Sequence, residues 1–165
     1  MAETGPPTIL FEVFWTHQKR KRLIEAALEG IDLPPEDYPF YVIVGAEGPL
    51  TPTALAARLE MPLTTVLFRL RRLERRSHAE RVPHPDDGRS FLVRLTAEGR
   101  RLLGLARPAF RAYAEAIESR LGEERTAALQ RELVGLREAM DEEIAARREP
   151  AAAETPAGQP SPPSG

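Results

Sequence analysis

The chain has 165 residues, about the length of one domain with an appendage. Its net charge is −2 and 42% of its residues are hydrophobic, so a buried core can form. It contains no cysteine, which excludes disulfides, thiolate metal sites, cysteine nucleophiles and cysteine redox switches. No apolar run approaches about 18 residues, and residues 1–15 lack the pattern of a signal peptide. We therefore expect a cytoplasmic protein with no membrane partner.

The first predicted helix ends before Gly30, a residue type that favours the position just after a helix. Residues 9–15 at its start are apolar nearly all round. A helix end this apolar does not remain in water, and a second copy of the chain is the most economical partner. We assign residues 8–30 to an N-terminal dimerisation helix that includes Ile9 and Phe11.

A stiff Leu-Pro-Pro turn at residues 33–35 leads to a second helix, which begins at about Tyr38 and tolerates Pro39 in its first turn. Gly48 and Pro49 end this helix. Residues 50–51 leave room for a very short strand.

Two short helices follow with a tight turn between them. Thr51 is predicted to cap the third helix, with Pro52 as its first residue. Pro62 is predicted as the first residue of the fourth helix, which runs to about Arg76. Two short helices joined in this way are typical of a helix-turn-helix.

The hydrophobic period then changes from that of a helix to that of strands. Residues 79–83 and 90–95 have strand character, and His84, Pro85 and the following Asp-Asp-Gly are turn formers. A hairpin directly after a helix-turn-helix predicts a winged helix-turn-helix, which we assign to residues 33–98.

Two further helices are predicted in residues 99–148, separated by Gly122 and with a kink at Pro108. The last one carries apolar residues at intervals of four and three, the pattern of a seam between helices. These seam residues are Leu129, Leu133, Leu136, Met140 and Ile144. We assign residues 99–148 to C-terminal dimerisation helices. Residues 149–165 contain five prolines and no large apolar residue, so we expect a disordered tail.

Charge is unevenly distributed along the chain. Residues 69–94 contain eight arginines and four carboxylates, a local charge of +4 in an otherwise acidic protein. Such an island favours a surface that binds a polyanion. An arginine-rich overall composition is the alternative explanation, although it does not account for the clustering.

The fourth helix has two distinct faces. Val66, Leu70 and Leu73 fall within about 60° of one another at 100° per residue and should face the core, with Leu63 close to them. Hydroxyl groups, one phenylalanine and arginines occupy the opposite face and are candidates for contacts with bases and phosphates. These candidates are Thr64, Thr65, Phe68, Arg71, Arg72 and Arg75. A merely solvated helix face is the alternative interpretation.

Asp87 and Arg89 lie two residues apart at the predicted hairpin tip. A carboxylate at this spacing could hold the guanidinium extended, ready to enter a minor groove of DNA. An exposed turn pair of little energetic value is the alternative.

The segment from GPLTPTALAARLEMP through RLRRLERR to ERVPHPDDGRSFLVRLTAEGR resembles the core of the MarR (multiple antibiotic resistance regulator) family. The resemblance is close over residues 33–103, and the flanking helices match in order and length. It implies a mainly α-helical fold with a small β-hairpin, in which a winged helix-turn-helix is flanked by N- and C-terminal dimerisation helices. Asp87 and Arg89 match the family's Asp-x-Arg in the wing, while Thr64 and Thr65 match polar positions of its reader helix.

The resemblance also implies a homodimer that binds a pseudo-palindromic site on double-stranded DNA, usually as a repressor. Many family members release DNA when a small aromatic or phenolic effector binds between the dimerisation helices and the reading domain. Aromatic residues near that position are candidate ligand contacts, although they could equally be core. They are Phe14, Trp15, Phe40 and Tyr41.

The family usually has small polar or basic residues where this chain has Pro62, Leu63, Leu67 and Phe68. The apolar patch around Phe68 keeps open an alternative function, a winged-helix module for protein interaction that has lost sequence-specific DNA binding. An enzyme is not expected, because the sequence shows no paired catalytic carboxylates, Ser-His-Asp set, phosphate-binding glycine loop or HExxH spacing. We expect no cofactor and no metal site.

Overall fold

The computed structural model describes residues 8–148. The predicted disordered tail, residues 149–165, lies outside this range. The chain divides into two compact units, one ending at Ile117 and the other beginning at Glu118. None of the helices within the described range is long and apolar enough to span a membrane.

The described residues form six α-helices, one short 3-10 turn at Pro35–Asp37 and one two-stranded antiparallel sheet. The helices are α1 (Ile9–Ala27), α2 (Tyr38–Glu47), α3 (Pro52–Leu59), α4 (Leu63–Arg75), α5 (Ala97–Leu121) and α6 (Glu123–Arg148). The strands are β1 (Ala79–Pro83) and β2 (Phe91–Leu95), which pair from Ala79↔Leu95 to Pro83↔Phe91. A mainly helical chain with a small hairpin confirms the predicted fold class.

Local sequence explains where these elements begin and end. Thr51 Oγ1 accepts a hydrogen bond from Ala54 N at 3.1 Å and so caps α3, as expected of a threonine at this position. Glu60 adopts a left-handed conformation (φ 51°) and ends the helix. The prediction for Pro62 was off by one residue, because its extended backbone (ψ 138°) makes it the cap of α4 and not its first helical residue.

The core of the first unit lies between α2, α3, α4 and the start of α5. Val66, Leu70 and Leu73 are fully buried in it, which confirms the predicted core face of α4. Leu63 is instead 41% exposed, so the expectation that it packs beside them was wrong. It is the first residue of α4 and lies about 60° beyond Val66 on the helix, at the margin of the core face.

Two further contacts attach the hairpin to the rest of this unit. Leu50 forms an isolated antiparallel bridge with Val93, which is the very short strand predicted at residues 50–51. Thr96 Oγ1 accepts from Gly99 N at 3.0 Å and donates to Ser77 O at 2.7 Å, so it caps α5 and closes the base of the hairpin.

The C-terminal helices meet at Gly122, as predicted. Pro108 lies inside α5, which continues past it to Leu121. Within the second unit the predicted seam of α6 is largely exposed, with Leu129, Leu133 and Ile144 each between 46% and 49% accessible.

Candidate nucleic-acid interface

Helix α4 presents a surface opposite its buried face that combines hydroxyl, aromatic and basic groups. Thr64, Phe68, Arg71 and Arg75 are spaced four, three and four residues apart, so they form one stripe along the helix. All four are exposed, and Phe68 is 63% accessible. We call Thr64, Phe68, Arg71 and Arg75 the reader stripe. Thr65 is partly buried at the edge of this stripe.

Arg69 and Arg72 of the helix, and Arg76 directly after it, turn to the acidic segment that precedes α2. Arg72 Nη1 donates to Glu36 Oε1 at 2.7 Å, and its Nη2 donates to Asp37 Oδ2 at 2.6 Å. Arg69 lies 3.3 Å from Asp37 Oδ1 and also donates to the Glu36 carbonyl oxygen. Arg76 pairs with Asp32 at 2.6 Å. Three arginines of the basic island therefore bind carboxylates of the same chain and hold α4 against the segment that precedes α2.

Arg72 was predicted to contact DNA, and its position argues against that prediction. Helical spacing alone places it 40° from Phe68, within the exposed surface of the helix. Its guanidinium nevertheless bends back to two carboxylates, and its side chain is only 28% exposed. A doubly paired guanidinium would have to abandon a buried partner to reach a phosphate, which is unfavourable.

Burial governs the electrostatics of this cluster. The Asp37 side chain is fully buried. Its burial raises the pKa of Asp37, and the hydrogen bond and charge of Arg72 and the charge of Arg69 offset this only in part. Burial also opposes ionisation of Glu36, but its backbone hydrogen bond and the Arg72 charge outweigh this, and the pKa of Glu36 is lowered. The cluster is therefore an ion-pair network that anchors α4.

The hairpin is attached to α4 by another arginine. Arg81 makes a bidentate pair with Glu74, at 2.7 Å and 3.1 Å, and its guanidinium carbon lies 4.6 Å from the centre of the Phe91 ring. Arg94 on the second strand pairs with Glu80 at 2.8 Å. These contacts fix the wing relative to the reader stripe and leave neither arginine free.

At the hairpin tip, Asp87 and Arg89 interact differently from our expectation. Asp87 Oδ1 accepts a hydrogen bond from the backbone N of Arg89 at 3.0 Å, and Asp87 O accepts from Ser90 N at 3.0 Å. Within residues 8–148 the Arg89 guanidinium has no bond to Asp87. Asp87 therefore shapes the turn backbone, as aspartate commonly does, and the Arg89 side chain is exposed to solvent.

Pairing thus divides the basic island in two. Five of its arginines are bound to carboxylates of the same chain: Arg69, Arg72, Arg76, Arg81 and Arg94. Among residues 8–148, Arg71, Arg75 and Arg89 have no hydrogen-bond or ion-pair partner, and all three are exposed. Sequence reasoning found all three but could not separate them from their paired neighbours.

His78 connects the end of α4 to the core and was not assigned a role from the sequence. Its Nδ1 and the Tyr41 hydroxyl oxygen are hydrogen-bonded at 2.7 Å, and its ring is almost fully buried. Burial lowers the pKa of His78, while the Asp32 carboxylate partly opposes this. Its carbonyl oxygen accepts from Thr96 N at 3.1 Å. His78, in its neutral form, therefore connects helix α4 to the hairpin.

The four aromatic residues predicted to bind a ligand do not come together. Phe40 and Tyr41 are buried in the core, because α2 packs there and the Tyr41 hydroxyl is satisfied by His78. Phe14 and Trp15 are 53% and 46% exposed on α1. Phe40 and Tyr41 are therefore core residues, as the alternative interpretation held, while ligand binding by Phe14 and Trp15 stays a prediction.

A crevice of about 340 Å³ lies elsewhere in the first unit, where residues of α1, the start of α2, Met61 and α4 meet. It combines basic and apolar groups in its wall. The lining residues are His17, Arg20, Lys21, Ile24, Glu25, Pro35, Glu36, Pro39, Met61 and Arg69. The basic run at residues 19–22, with His17, Lys21 and Ile24 on one helical face, was the sequence signal for it.

The predicted dimerisation residues of α1 are exposed. Ile9 and Phe11 are 59% and 55% accessible, and the Phe11 and Trp15 rings lie 5.9 Å apart. Leu136 and Met140 of α6 are only partly buried. Both predicted dimerisation surfaces therefore leave apolar side chains exposed within residues 8–148. Within residues 8–148 no group of three or more His, Asp or Glu residues could hold a metal ion.

Comparison with known proteins gives relatives of one kind. No protein-family model matches the chain. The multiple antibiotic resistance protein MarR of Salmonella typhimurium is 30% identical over 87 residues, which cover 53% of this chain and 60% of that protein. The match therefore spans less than two thirds of the relative's length.

Solved structures share the fold over most of the chain. A probable transcriptional regulator from Pseudomonas aeruginosa has a TM-score of 0.70 and 27% identity, covering 78% of this chain and 96% of that one. A mutant MarR from E. coli complexed with operator DNA has a TM-score of 0.70 and 23% identity, covering 75% and 89%. NadR in complex with 4-hydroxyphenylacetate has a TM-score of 0.67 and 20% identity, covering 82% and 96%. The sequence match and the shared fold therefore make this chain similar to MarR-type transcriptional regulators.

Proposed function

We propose that this protein is a homodimeric transcriptional regulator, not an enzyme, that binds a pseudo-palindromic site on double-stranded DNA. Residues 33–98 form its DNA-binding domain. The reader stripe would enter the major groove, and Arg89 at the wing tip would enter the adjacent minor groove. The likeness to a MarR structure complexed with operator DNA supports this assignment.

The observation that carries the proposal is the pairing of the arginines. Arg71, Arg75 and Arg89 are exposed and without partners in the described chain, and they lie on the reader stripe and the wing tip. An exposed guanidinium can donate to phosphate oxygens or fork onto a guanine edge. Since the other arginines of the island are neutralised locally, the free charge is concentrated where DNA would lie.

Direct binding measurements with matched variants test this proposal. The full chain should bind duplex DNA with an affinity that falls about 10³–10⁵-fold between 50 and 200 mM salt, if about six to ten phosphates are contacted. Arg89→Ala should weaken binding, most strongly at sites flanked by A·T pairs. Arg94→Ala is the matched control, because Arg94 lies in the same hairpin but is paired with Glu80.

Equal losses for the two hairpin variants would remove Arg89 from the interface. Binding that does not change with salt would contradict the proposal as a whole. In that case the exposed apolar side chain of Phe68 would favour the alternative function, a winged helix that binds another protein.

The homodimer is supported by the uncovered apolar surfaces on α1 and α6. The exposed apolar residues include Ile9, Phe11, Leu129, Leu133 and Ile144, each between 46% and 59% accessible, and clustered apolar side chains of this kind mark interaction surfaces. Helices paired along these surfaces in two copies would give an obligate interface of about 2,000 Å² or more.

Sedimentation velocity at micromolar concentration tests the dimer. The chain should sediment with twice its monomer mass of 18.4 kDa. Phe11→Glu should shift it toward monomer, because an unpaired charge would be buried in the interface. Arg22→Glu changes an exposed polar residue of the same helix and serves as the control. A wild-type monomer would contradict the proposal.

We also propose that the crevice beside α1 binds a small effector with a carboxylate group and an apolar body. Its wall contains Arg20, together with Lys21 and Arg69, which pair with Glu25 and Asp37. Ile24 and Met61 supply apolar surface. The NadR structure with 4-hydroxyphenylacetate, which contains these two chemical features, supports this class of ligand.

Arg69 would link such an effector to the reader stripe. It lines the crevice, belongs to α4 and pairs with the buried Asp37 at 3.3 Å. A carboxylate in the crevice would compete with Asp37 for the same guanidinium. Since a ligand shifts an equilibrium only through different affinities for two states, this exchange would bias the orientation of α4.

A panel of aromatic carboxylates, including salicylate and 4-hydroxyphenylacetate, tests the effector site. A ligand at 100 times its dissociation constant should stabilise the fold by about 2.7 kcal/mol and raise the melting temperature. Arg20→Ala should reduce this shift, whereas the exposed Arg22→Ala on the same helix should not. No shift with any member of the panel would contradict an effector of this class.

A further inference from the structure

The reader stripe contains one side chain that cannot form a hydrogen bond or ion pair. Phe68 is 63% exposed, the most exposed of the large hydrophobic residues of the described chain. Its orientation is fixed by the opposite face of α4, where Val66, Leu70 and Leu73 are completely buried. Phe68 therefore cannot turn inward without rotating these three residues out of the core.

Phe68 lies at the centre of the exposed surface of α4. At 100° per residue, Thr64, Arg71 and Arg75 lie within about 60° of it on one side. On the other side Arg72 is held back by Glu36 and Asp37. The phenyl ring is thus flanked by two unpaired positive charges on one edge and by a neutralised cluster on the other.

The charge around Phe68 identifies what would cover it. An apolar protein surface placed on this ring would have to bury the unpaired Arg71 and Arg75 guanidinium groups as well, which is costly without carboxylate partners. A DNA groove offers phosphates to both arginines and an apolar group to the ring. In the major groove that apolar group is the C5-methyl of thymine.

We propose that Phe68 determines sequence specificity by packing on the C5-methyl group of a thymine in each half-site. This inference rests on the DNA binding proposed above. Arg71 and Arg75 supply the affinity through phosphates or guanine, while Phe68 discriminates a thymine from cytosine and from any base without the methyl group. The apolar residue that departs from the family's usual pattern is then the one that reads the base.

Deoxyuridine substitution tests the inference, because deoxyuridine differs from thymidine only in lacking this methyl group. A preferred duplex is first selected from a random library with the full wild-type chain. Each thymine is then replaced in turn, and the dissociation constant is measured at one salt concentration. At one thymine in each half-site, the replacement should raise the dissociation constant of the wild type about four-fold, which corresponds to the free energy of burying about one methyl-sized group.

Variants at Phe68 complete the test as a double-mutant cycle. Phe68→Ala should bind the thymine and deoxyuridine duplexes equally, and Phe68→Leu should retain part of the preference. Arg71→Ala should weaken binding to both duplexes while preserving their ratio. Melting temperatures confirm that each variant is folded, and they should stay close to that of the wild type because Phe68 is exposed.

Several outcomes would overturn the inference. They are a preferred sequence without thymine, no deoxyuridine penalty at any position in the wild type, or the same penalty in Phe68→Ala. Sequence-specific, salt-dependent binding with any of these results would leave the proposed function intact and remove Phe68 from base recognition. Absence of salt-dependent duplex binding by the wild type would overturn both.

Discussion

Arg72 on α4 and Arg76 directly after its end should differ sharply in their contribution to stability, although each pairs with the acidic segment before α2. Arg72 lies 2.6 Å from Asp37, whose side chain is fully buried, while Arg76 lies 2.6 Å from Asp32, whose side chain is 74% exposed. The distances are equal, so the difference in burial should decide the outcome. We therefore compare Arg72→Met with Arg76→Met, since methionine keeps the apolar stem and is a good helix former.

The expected losses follow from what each substitution leaves behind. Removing one partner of a buried ion pair costs about 3–5 kcal/mol. Arg69 remains 3.3 Å from Asp37 and Arg72 is itself partly exposed, so we expect the lower end, about 3 kcal/mol, for Arg72→Met. The exposed pair of Arg76 should contribute less than about 1 kcal/mol. For a chain of this length, about 3 kcal/mol lowers the melting temperature by about 6–12 °C.

Urea denaturation followed by circular dichroism measures both variants, at one protomer concentration because the stability of a dimer depends on it. The stability deficit of Arg72→Met, which is its free energy of unfolding compared with that of the wild type, should also depend on pH. Burial already raises the pKa of Asp37, and removing Arg72 takes away a charge that lowers it. The deficit should therefore be complete above this raised pKa and shrink as the pH falls through it. Equal losses for the two variants would refute the reasoning.

Two further predictions concern the junction at His78. A Cβ atom at Gly99 would lie 2.0 Å from the His78 carbonyl oxygen, so Gly99→Ala should lower the free energy of unfolding by about 1–3 kcal/mol. A Cβ atom at Gly104 of the same helix would have nothing within 4 Å, so Gly104→Ala should raise the free energy of unfolding by up to about 1 kcal/mol. Similar urea midpoints for these two variants would contradict this. Burial holds the pKa of His78 below its ordinary value of 6.5, so its contribution is complete above pH 6.5 and should be lost as the pH falls further. The urea midpoint should therefore decline less between pH 7.5 and 5 in His78→Gln than in the wild type. A variant at the exposed His17 is the control. The same decline of the midpoint in the wild type and in His78→Gln would rule this out.

Much of the fold could be predicted because its signals are local. Thr51 and Pro52 at the start of α3, Gly122 between α5 and α6, and the turn formers before Arg89 act through their own backbone conformations and nearest hydrogen bonds. The core face of α4 followed in the same way, because a period of 3.6 residues fixes which side chains share a face. Local chemistry and periodicity were therefore sufficient for the elements and for the candidate reader stripe.

The partners of the charged and aromatic side chains were decided only by the tertiary structure. Arg71 and Arg72 are neighbours in sequence, yet one is free and the other binds Glu36 and Asp37, more than thirty residues away. Tyr41 resembled a ligand contact until His78 was found to bind its hydroxyl group across 37 residues. Hydrophobic periodicity sets which face of a helix is buried, but only long-range packing determines which polar groups are consumed within the protein and which remain for a ligand.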